Sequence, residues 1–211
     1  ALGKMHGWGF YKFTNGNEYH GQWEEDKMEG EGIYTSSTGN HYEGYFSDGR
    51  LDGPGSFRSY LGETYVGDWL SGRMHGQGLY IFANGSKYEG EWVNDKRTGY
   101  GVYNYANGSV YVGKFKNGKR DGKGNFKKIN KEIYDGDWKD DRMEGQGSYF
   151  FENGKTYSGK WVNDMMSGEG VLSFNDEKKY TGSFFNNEIN GEGTMSYSDG
   201  RTFMGNWISG L

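Results

Sequence analysis

Glycine doublets are the first residues in this sequence whose type and spacing could do chemistry. They have the form Gly-x-Gly and occur nine times, from Gly7/Gly9 to Gly191/Gly193. Backbone N–H groups of such a loop can hold a phosphate, but a dinucleotide site needs the loop once, at the start of a helix. Here an alternating apolar segment follows each doublet instead. The doublets are therefore predicted to be structural.

Histidines are the residues that could hold a metal. His6 and His75 occupy the same position of a repeat as Glu29 and Asp52 do in two other repeats. Equivalent positions lie two strands apart, about 10 Å, which is too far for ligands that bind at about 2 Å. No cofactor is predicted, and a metal shared between two copies of the chain stays open. All four histidines lie in the first 75 residues of the chain: His6, His20, His41 and His75.

A lysine-rich segment, residues 114–131, could contact anionic lipid headgroups or an acidic partner. The favoured interpretation is a solvated stretch, because strands would distribute these cations over both faces and both edges. The lipid alternative would use Lys114, Lys116, Lys119, Arg120, Lys127 and Lys128.

Catalytic arrangements are not apparent outside the repeats. Nearly every candidate residue has copies 23 positions away, and a catalytic site is rarely periodic. Asn-Gly-Ser at residues 84–86 and 107–109 matches a glycosylation acceptor, but a hairpin turn explains both copies. The protein is predicted not to be an enzyme.

Composition excludes further classes. The formal net charge of −5 argues against nucleic acid as a partner, and weakly against an anionic membrane. The absence of Cys excludes disulfides and thiol catalysis and fits a cytoplasmic protein. No apolar run has the length of a membrane span, and no signal peptide is visible. The chain starts and stops within a repeat, so a fragment of a longer repeat protein is expected.

One motif must position all of these residues: Tyr-x-Gly-x-Trp/Phe recurs every 23 residues, nine times. A fixed period of this length indicates one supersecondary unit stacked on copies of itself. Residues 1–211 are therefore predicted to form one array of about nine repeats. The motif tyrosines are Tyr19, Tyr42, Tyr65, Tyr88, Tyr111, Tyr134, Tyr157 and Tyr180, with Phe203 in the ninth copy.

Each repeat is predicted to be a β-hairpin. Aromatic residues alternate after each doublet, and Asn-Gly turns follow. Tyr11 and Tyr19 share a face only if the loop has three residues, Thr14 to Gly16, with Gly16 left-handed. A second loop needs a left-handed residue three positions after each motif Trp or Phe, such as Asp26.

The predicted fold is all-β: an elongated, single-layer, twisted and open antiparallel sheet of about 18 strands. At about 4.8 Å per strand it would extend about 85 Å. Aromatic rings would cover one face, and the doublet glycines would leave room for a large ring. A bend or bulge is expected near residues 51–62, because Pro54 lacks an N–H. The opposite face, expected to be solvated, carries Glu43, Glu89, Lys114, Asp135 and Lys160.

The motif and the glycine doublet at this spacing resemble the MORN (membrane occupation and recognition nexus) repeat over essentially the whole chain. Within that family, the nearly pure array is similar to an apicomplexan cytoskeletal member of budding rings and the basal complex. The resemblance implies self-association, binding of partner helices in an aromatic groove, or attachment at membranes. The groove would be lined by Tyr88, Trp92, Tyr111, Phe115, Tyr134 and Trp138.

The leading hypothesis is a non-catalytic scaffold in the cytoplasm that self-associates and docks cytoskeletal or membrane-skeleton proteins, with a role in cell division or budding. An uncapped end strand exposes both a hydrogen-bonding edge and aromatic surface, so a tail-to-tail homodimer is predicted. The alternatives are a phospholipid-binding module and a groove for a partner helix. The dimer would be joined by Tyr197, Phe203, Trp207, Ile208 and Leu211.

Overall fold

The computed structural model describes residues 3–209. The chain divides into two compact units, Ala1–Ala106 and Asn107–Leu211. The described residues form nine strands in each unit and no helix. The first unit contains β1 (Gly7–Lys12), β2 (Glu18–Glu24), β3 (Lys27–Thr35), β4 (His41–Ser47), β5 (Arg50–Arg58), β6 (Thr64–Leu70), β7 (Arg73–Ile81), β8 (Lys87–Val93) and β9 (Lys96–Asn104). The second contains β10 (Val110–Lys116), β11 (Lys119–Lys127), β12 (Ile133–Lys139), β13 (Arg142–Phe150), β14 (Thr156–Val162), β15 (Met165–Ser173), β16 (Lys179–Phe185), β17 (Glu188–Ser196) and β18 (Thr202–Trp207).

Each strand pairs antiparallel with the next strand along the chain in both units. Within each unit, hairpins alone therefore build an open antiparallel array of strands. The prediction of an all-β fold made of 18 antiparallel strands in 23-residue hairpins is confirmed.

The three-residue loop of the first hairpin has the predicted form. Tyr11 pairs with Tyr19, and the Phe13 N–H donates to the Asn17 carbonyl at 2.9 Å. Gly16 has φ +85° and closes the loop by donating to the Phe13 carbonyl. Tyr11 and Tyr19 are therefore on the same face of the sheet. At the same loop position Lys131 and Glu177 take φ +70° and +63° without being glycine.

The second loop is a two-residue turn. Glu24 pairs with Lys27, and both central residues are left-handed, with φ +49° at Glu25 and +68° at Asp26. This is the type I′ geometry, whose twist matches that of the flanking strands. The left-handed residue predicted three positions after the motif aromatic is confirmed at Asp26 and its described equivalents. The left-handed residue before it was not predicted.

These turns also bond to the preceding repeat. The Asp164 N–H donates to the Met143 carbonyl at 3.0 Å, and the Met143 N–H donates to Asp164 Oδ1 at 2.7 Å. The three-residue loops are linked in a similar way, since the Ile129 N–H donates to Ser109 Oγ at 3.2 Å. One set of contacts joins residues 21 positions apart and the other set joins residues 20 apart.

A bulge explains the glycine doublet. Gly21 pairs with Gly32 and Trp23 with Met28, so three residues of β3 lie opposite one residue of β2. Gly30 lies in the bulge with φ +64°, which side chains rarely adopt. Gly32 has a different role, because a Cβ there would lie 2.2 Å from the hydroxyl oxygen of Tyr19. The prediction that glycine leaves room for a large ring holds for this second glycine.

Pro54 is the last of the three residues in the same bulge of β5. In other repeats the N–H at this position leaves the strand ladder and donates to a side chain, as Gln77 does to Asp68 at 3.0 Å. Proline therefore lacks only an N–H that the strand ladder does not use. The side-chain acceptor is also absent in this repeat, because Tyr45 stands where Asp68 stands one repeat later. The expected bulge is present, but the equivalent bulge elsewhere shows that Pro54 is not its cause.

The two faces of the sheets differ as expected. Most of the motif aromatics are buried on one face, and Glu43, Glu89, Lys114, Asp135 and Lys160 are exposed on the other. The exposed face also carries apolar side chains that the sequence analysis did not single out: Trp8, Phe10, Tyr45, Val66 and Tyr100.

Candidate functional site

The regular repeat has one arrangement of its tyrosine. The ring of Tyr157 lies over Gly159 and Gly170, and its hydroxyl donates to the Lys160 carbonyl in the bulge at 2.9 Å. Burial raises the pKa of this phenol to about 12, with a smaller contribution from Glu169. The phenol therefore stays protonated and donates a hydrogen bond at neutral pH. The same bond is made by Tyr19, Tyr65, Tyr88, Tyr111, Tyr134 and Tyr180.

The motif tryptophans complete this core. Trp161 packs edge-on against Tyr157 with ring centroids 5.2 Å apart, and its indole N–H donates to the Gly147 carbonyl at 3.1 Å. Both polar atoms of the motif are therefore hydrogen-bonded inside the sheet. The equivalent indole bond is made by Trp23, Trp92, Trp138 and Trp207.

Tyr42 departs from this arrangement. Its ring contacts Phe57 at a centroid distance of 4.9 Å, and its hydroxyl lies near the Asn40 side chain. A Cβ on Gly55 would first meet Glu43 O and Trp69 Cδ1, at 3.0 and 3.1 Å, whereas at the equivalent Gly78 it would meet the Tyr65 ring. The phenol has left the space over the glycines.

A cavity of about 460 Å³ opens beside the displaced ring on the aromatic face of the first unit. We call it the Tyr42 cavity. Ser36 at its wall stands where Phe13 and Phe82 stand in other repeats. The missing ring leaves this space open. The apolar walls are formed by Met28, Tyr34, Tyr42, Phe46, Leu51 and Trp69.

The residues predicted to join two chains lie at β18 and just before and after it. Phe203 and Ile208 are 52% and 72% exposed, and β18 is hydrogen-bonded to β17. Trp207 is half-buried, because its ring packs on Tyr180 and its N–H donates to Gly193. Tyr197 is half-buried in the preceding loop, and Leu211 lies outside the described residues.

The residues predicted for a helix groove are buried in both units. Tyr88 and Trp92 belong to the first unit, and the other four to the second. These side chains form the core beneath the surface, so any helix on that face would first contact other residues. Helix binding stays a prediction. The four in the second unit are Tyr111, Phe115, Tyr134 and Trp138.

Several cations predicted for lipid contact have acidic partners. Lys119 lies 3.1 Å from Asp140, and Arg120 lies 3.2 Å from Asp141. The Arg120 guanidinium also stacks over the Trp138 ring at 4.0 Å. These contacts reduce the positive charge that could face a membrane, and lipid binding stays a prediction. Lys114, Lys116 and Lys127 are exposed.

Lys128 stands where most repeats have an aromatic ring. Its Nζ donates to Glu132 at 2.8 Å and to the Tyr149 hydroxyl at 2.6 Å. The hydrogen bond from Lys128, with that from Tyr149, lowers the pKa of the Glu132 carboxyl to about 2. This cluster is an ion pair built into the edge of the core.

The histidines do not gather. His6 Nε2 lies 2.9 Å from Glu25 Oε1. Over residues 3–209, no group of three or more potential metal ligands of the His, Cys, Asp and Glu types comes together. The same part of the chain contains no helix long and apolar enough to cross a membrane.

A family model for the MORN repeat matches nine segments of this chain: residues 2–18, 19–41, 42–60, 65–87, 88–110, 111–130, 134–156, 157–178 and 180–200. The chain belongs to the MORN-repeat family. Its repeats have the hairpin, bulge and tyrosine geometry described above. Curated protein sequences give no significant match.

Solved structures of similar fold are TCP10 domains. The TCP10 domain of Danio rerio CPAP in complex with a peptide of Danio rerio STIL is 10% identical, with a TM-score of 0.51 over 94% of this chain and 93% of that one. The same domain without the peptide gives 0.52 at 10% identity, over 93% of both chains. At this identity the likeness concerns the fold alone.

The Tyr42 cavity was not predicted from the sequence. The available signal in the sequence is Ser36, which stands where most repeats have an aromatic residue. Ser36 alone did not indicate that the ring of Tyr42 would be displaced, because Tyr42 belongs to a different strand.

Proposed function

We propose that this MORN-repeat protein is a non-catalytic scaffold that self-associates and docks cytoskeletal or membrane-skeleton partners in the cytoplasm, with a role in cell division or budding. Family membership supports a repeat scaffold. The motif side chains that could take part in chemistry are the phenols and indoles of the repeats. They pack and form hydrogen bonds inside the fold. A TCP10 domain of similar fold is in complex with a peptide, which fits a docking role.

The proposal of self-association rests on the exposed apolar surface on β18 and just after it. Phe203, Met204 and Ile208 are all exposed there. Apolar side chains beside a strand edge favour pairing with a second chain. In a symmetric dimer, each chain would present this same surface to the other.

Light scattering at micromolar concentration tests the proposal. The wild-type chain is expected to have the mass of a dimer, and Ile208→Glu is expected to weaken association by at least about tenfold. Ile129→Glu is the matched control, because Ile129 is 69% exposed in a loop of the same unit. A wild-type monomer, or equal weakening by both variants, would contradict self-association through β18.

A further inference from the structure

The Tyr42 cavity lies in the first unit beside Ser36, which stands where most repeats have an aromatic ring. In the regular repeat the phenol lies over two glycines and donates to the carbonyl three residues on. Tyr42 instead faces Asn40, and Ser36 supplies no ring to close the wall. The resulting volume of about 460 Å³ lies within the range of about 300–1,000 Å³ typical of ligand sites.

Trp69, which lines this cavity, has an unused hydrogen-bond donor. Its indole nitrogen is buried and has no acceptor, although tryptophans at the same place in other repeats donate to a glycine carbonyl. A buried N–H without a partner is unfavourable and uncommon in native proteins. A ligand oxygen at this point would restore the missing bond.

Arg50 gives the cavity a positive charge. In the equivalent positions Lys27 and Lys119 form ion pairs with an aspartate 21 residues on, but Ser71 stands at that place for Arg50. Among the described residues that line the cavity there is no carboxylate. The lining itself therefore carries one cation and no anion, and the carboxylate of Asp48, which interacts with Arg50, lies outside it.

We infer that the Tyr42 cavity binds an acidic peptide segment of a partner protein. An apolar side chain of the peptide enters between Tyr42 and Trp69, a backbone carbonyl accepts the Trp69 N–H, and a neighbouring carboxylate pairs with Arg50. The inference rests on the proposed scaffold function, because the cavity would be one of the sites at which the scaffold docks a partner. It uses residues of the first unit, whereas the proposed self-association uses β18 of the second.

Titration of the ¹⁵N-labelled full chain with the peptide acetyl-Glu-Asp-Phe-Asp-Glu-amide tests the site. The indole signal of Trp69 is assigned by its loss in Trp69→Phe, a change that keeps a ring as Phe46 does one repeat earlier. This signal is expected to move downfield and to saturate with a dissociation constant on the order of 1 mM. Ser36→Phe, which fills the cavity, and Arg50→Gln are each expected to weaken binding at least about fivefold. Arg142→Gln, at the same place in another repeat, is expected to leave it unchanged.

Several outcomes would overturn the inference. These are an unshifted Trp69 signal, an equal response to acetyl-Lys-Lys-Phe-Lys-Lys-amide, and equal affinity in the Ser36→Phe and wild-type chains. If circular dichroism shows that Ser36→Phe is unfolded, the comparison of Arg50→Gln with Arg142→Gln decides. If the peptide does not bind but the chain still dimerises, the inferred peptide site is rejected and the proposed self-association stands. If the peptide binds to a chain that is strictly monomeric, self-association is rejected and the peptide site stands.

Discussion

At the scale of single residues, the motif tyrosine connects two repeating features. Its ring needs the two paired glycines beneath it, and its hydroxyl satisfies a carbonyl in the bulge. A buried carbonyl without a donor is unfavourable. The tyrosine therefore completes the bulge in the regular repeats, whereas the bulge between β4 and β5 forms without this bond, because Tyr42 has moved away from it.

Replacing Tyr157 by Phe tests this role. The ring is kept and one buried hydrogen bond is lost, so the free energy of unfolding is expected to fall by about 1–2 kcal/mol. Chemical denaturation followed by tryptophan fluorescence measures the change. Tyr60→Phe is the control, because Tyr60 is 65% exposed, and it is expected to have little effect. Equal stability of Tyr157→Phe and the wild-type chain would exclude a structural role for the hydroxyl.

Glu132 gives the second unit a dependence on acid. Its pKa is lowered on folding, so the ionised carboxylate stabilises the fold above the ordinary pKa near 4.5, and this contribution disappears as the pH falls towards 2. Glu132→Gln is therefore expected to unfold at lower denaturant concentration than the wild type at pH 7, and the difference is expected to shrink by pH 3. Glu152→Gln, at an exposed position, is the control. A difference that grows in acid would contradict the assigned sign.

At the scale of the strands and turns, left-handed residues set the register. Glycine adopts this conformation without the steric cost that a side chain carries. Three-residue loops that have another residue at that position are therefore under local strain. The two examples are Lys131 and Glu177.

Lys131→Gly is expected to stabilise the second unit by up to about 1 kcal/mol, because the left-handed strain is relieved. Gly154→Ala, at the same position one repeat later with φ +82°, is expected to destabilise it by a similar amount. Thermal unfolding of both variants against the wild type measures the pair. A destabilised Lys131→Gly would show that the lysine side chain contributes more than its backbone strain costs.

Much of the hairpin could be predicted from the sequence, because successive residues of a strand point to opposite faces of the sheet. The number of residues between two positions therefore decides whether they share a face. Tyr11 and Tyr19 share a face only with a three-residue loop, so that loop followed directly. The left-handed conformation of Glu25 could not be predicted, since glutamate has no preference for it. The Tyr42 cavity could not be predicted either, because it depends on contacts between side chains of several strands.

At the scale of the whole molecule, the repeats within a unit are interchangeable in register. Deletion of residues 157–179, one full period, brings Tyr180 to the place of Tyr157. The shortened chain is expected to keep its β-sheet circular dichroism and a cooperative unfolding transition, at lower stability. Deletion of residues 157–178 is expected to abolish that transition in the second unit, because a shift of one residue turns every side chain to the opposite face. Similar unfolding of the two deletions would contradict this account.

The contacts between successive turns limit how such a chain can change during evolution. One row of turns joins residues 21 positions apart and the other joins residues 20 apart, as at Met143–Asp164 and Ser109–Ile129. Inserting a single codon between two turns breaks the spacing in both rows, whereas duplicating a whole repeat preserves every contact. Genes for this fold are thus expected to lengthen and shorten by unequal crossing-over between repeats, and the length of the protein to change in steps.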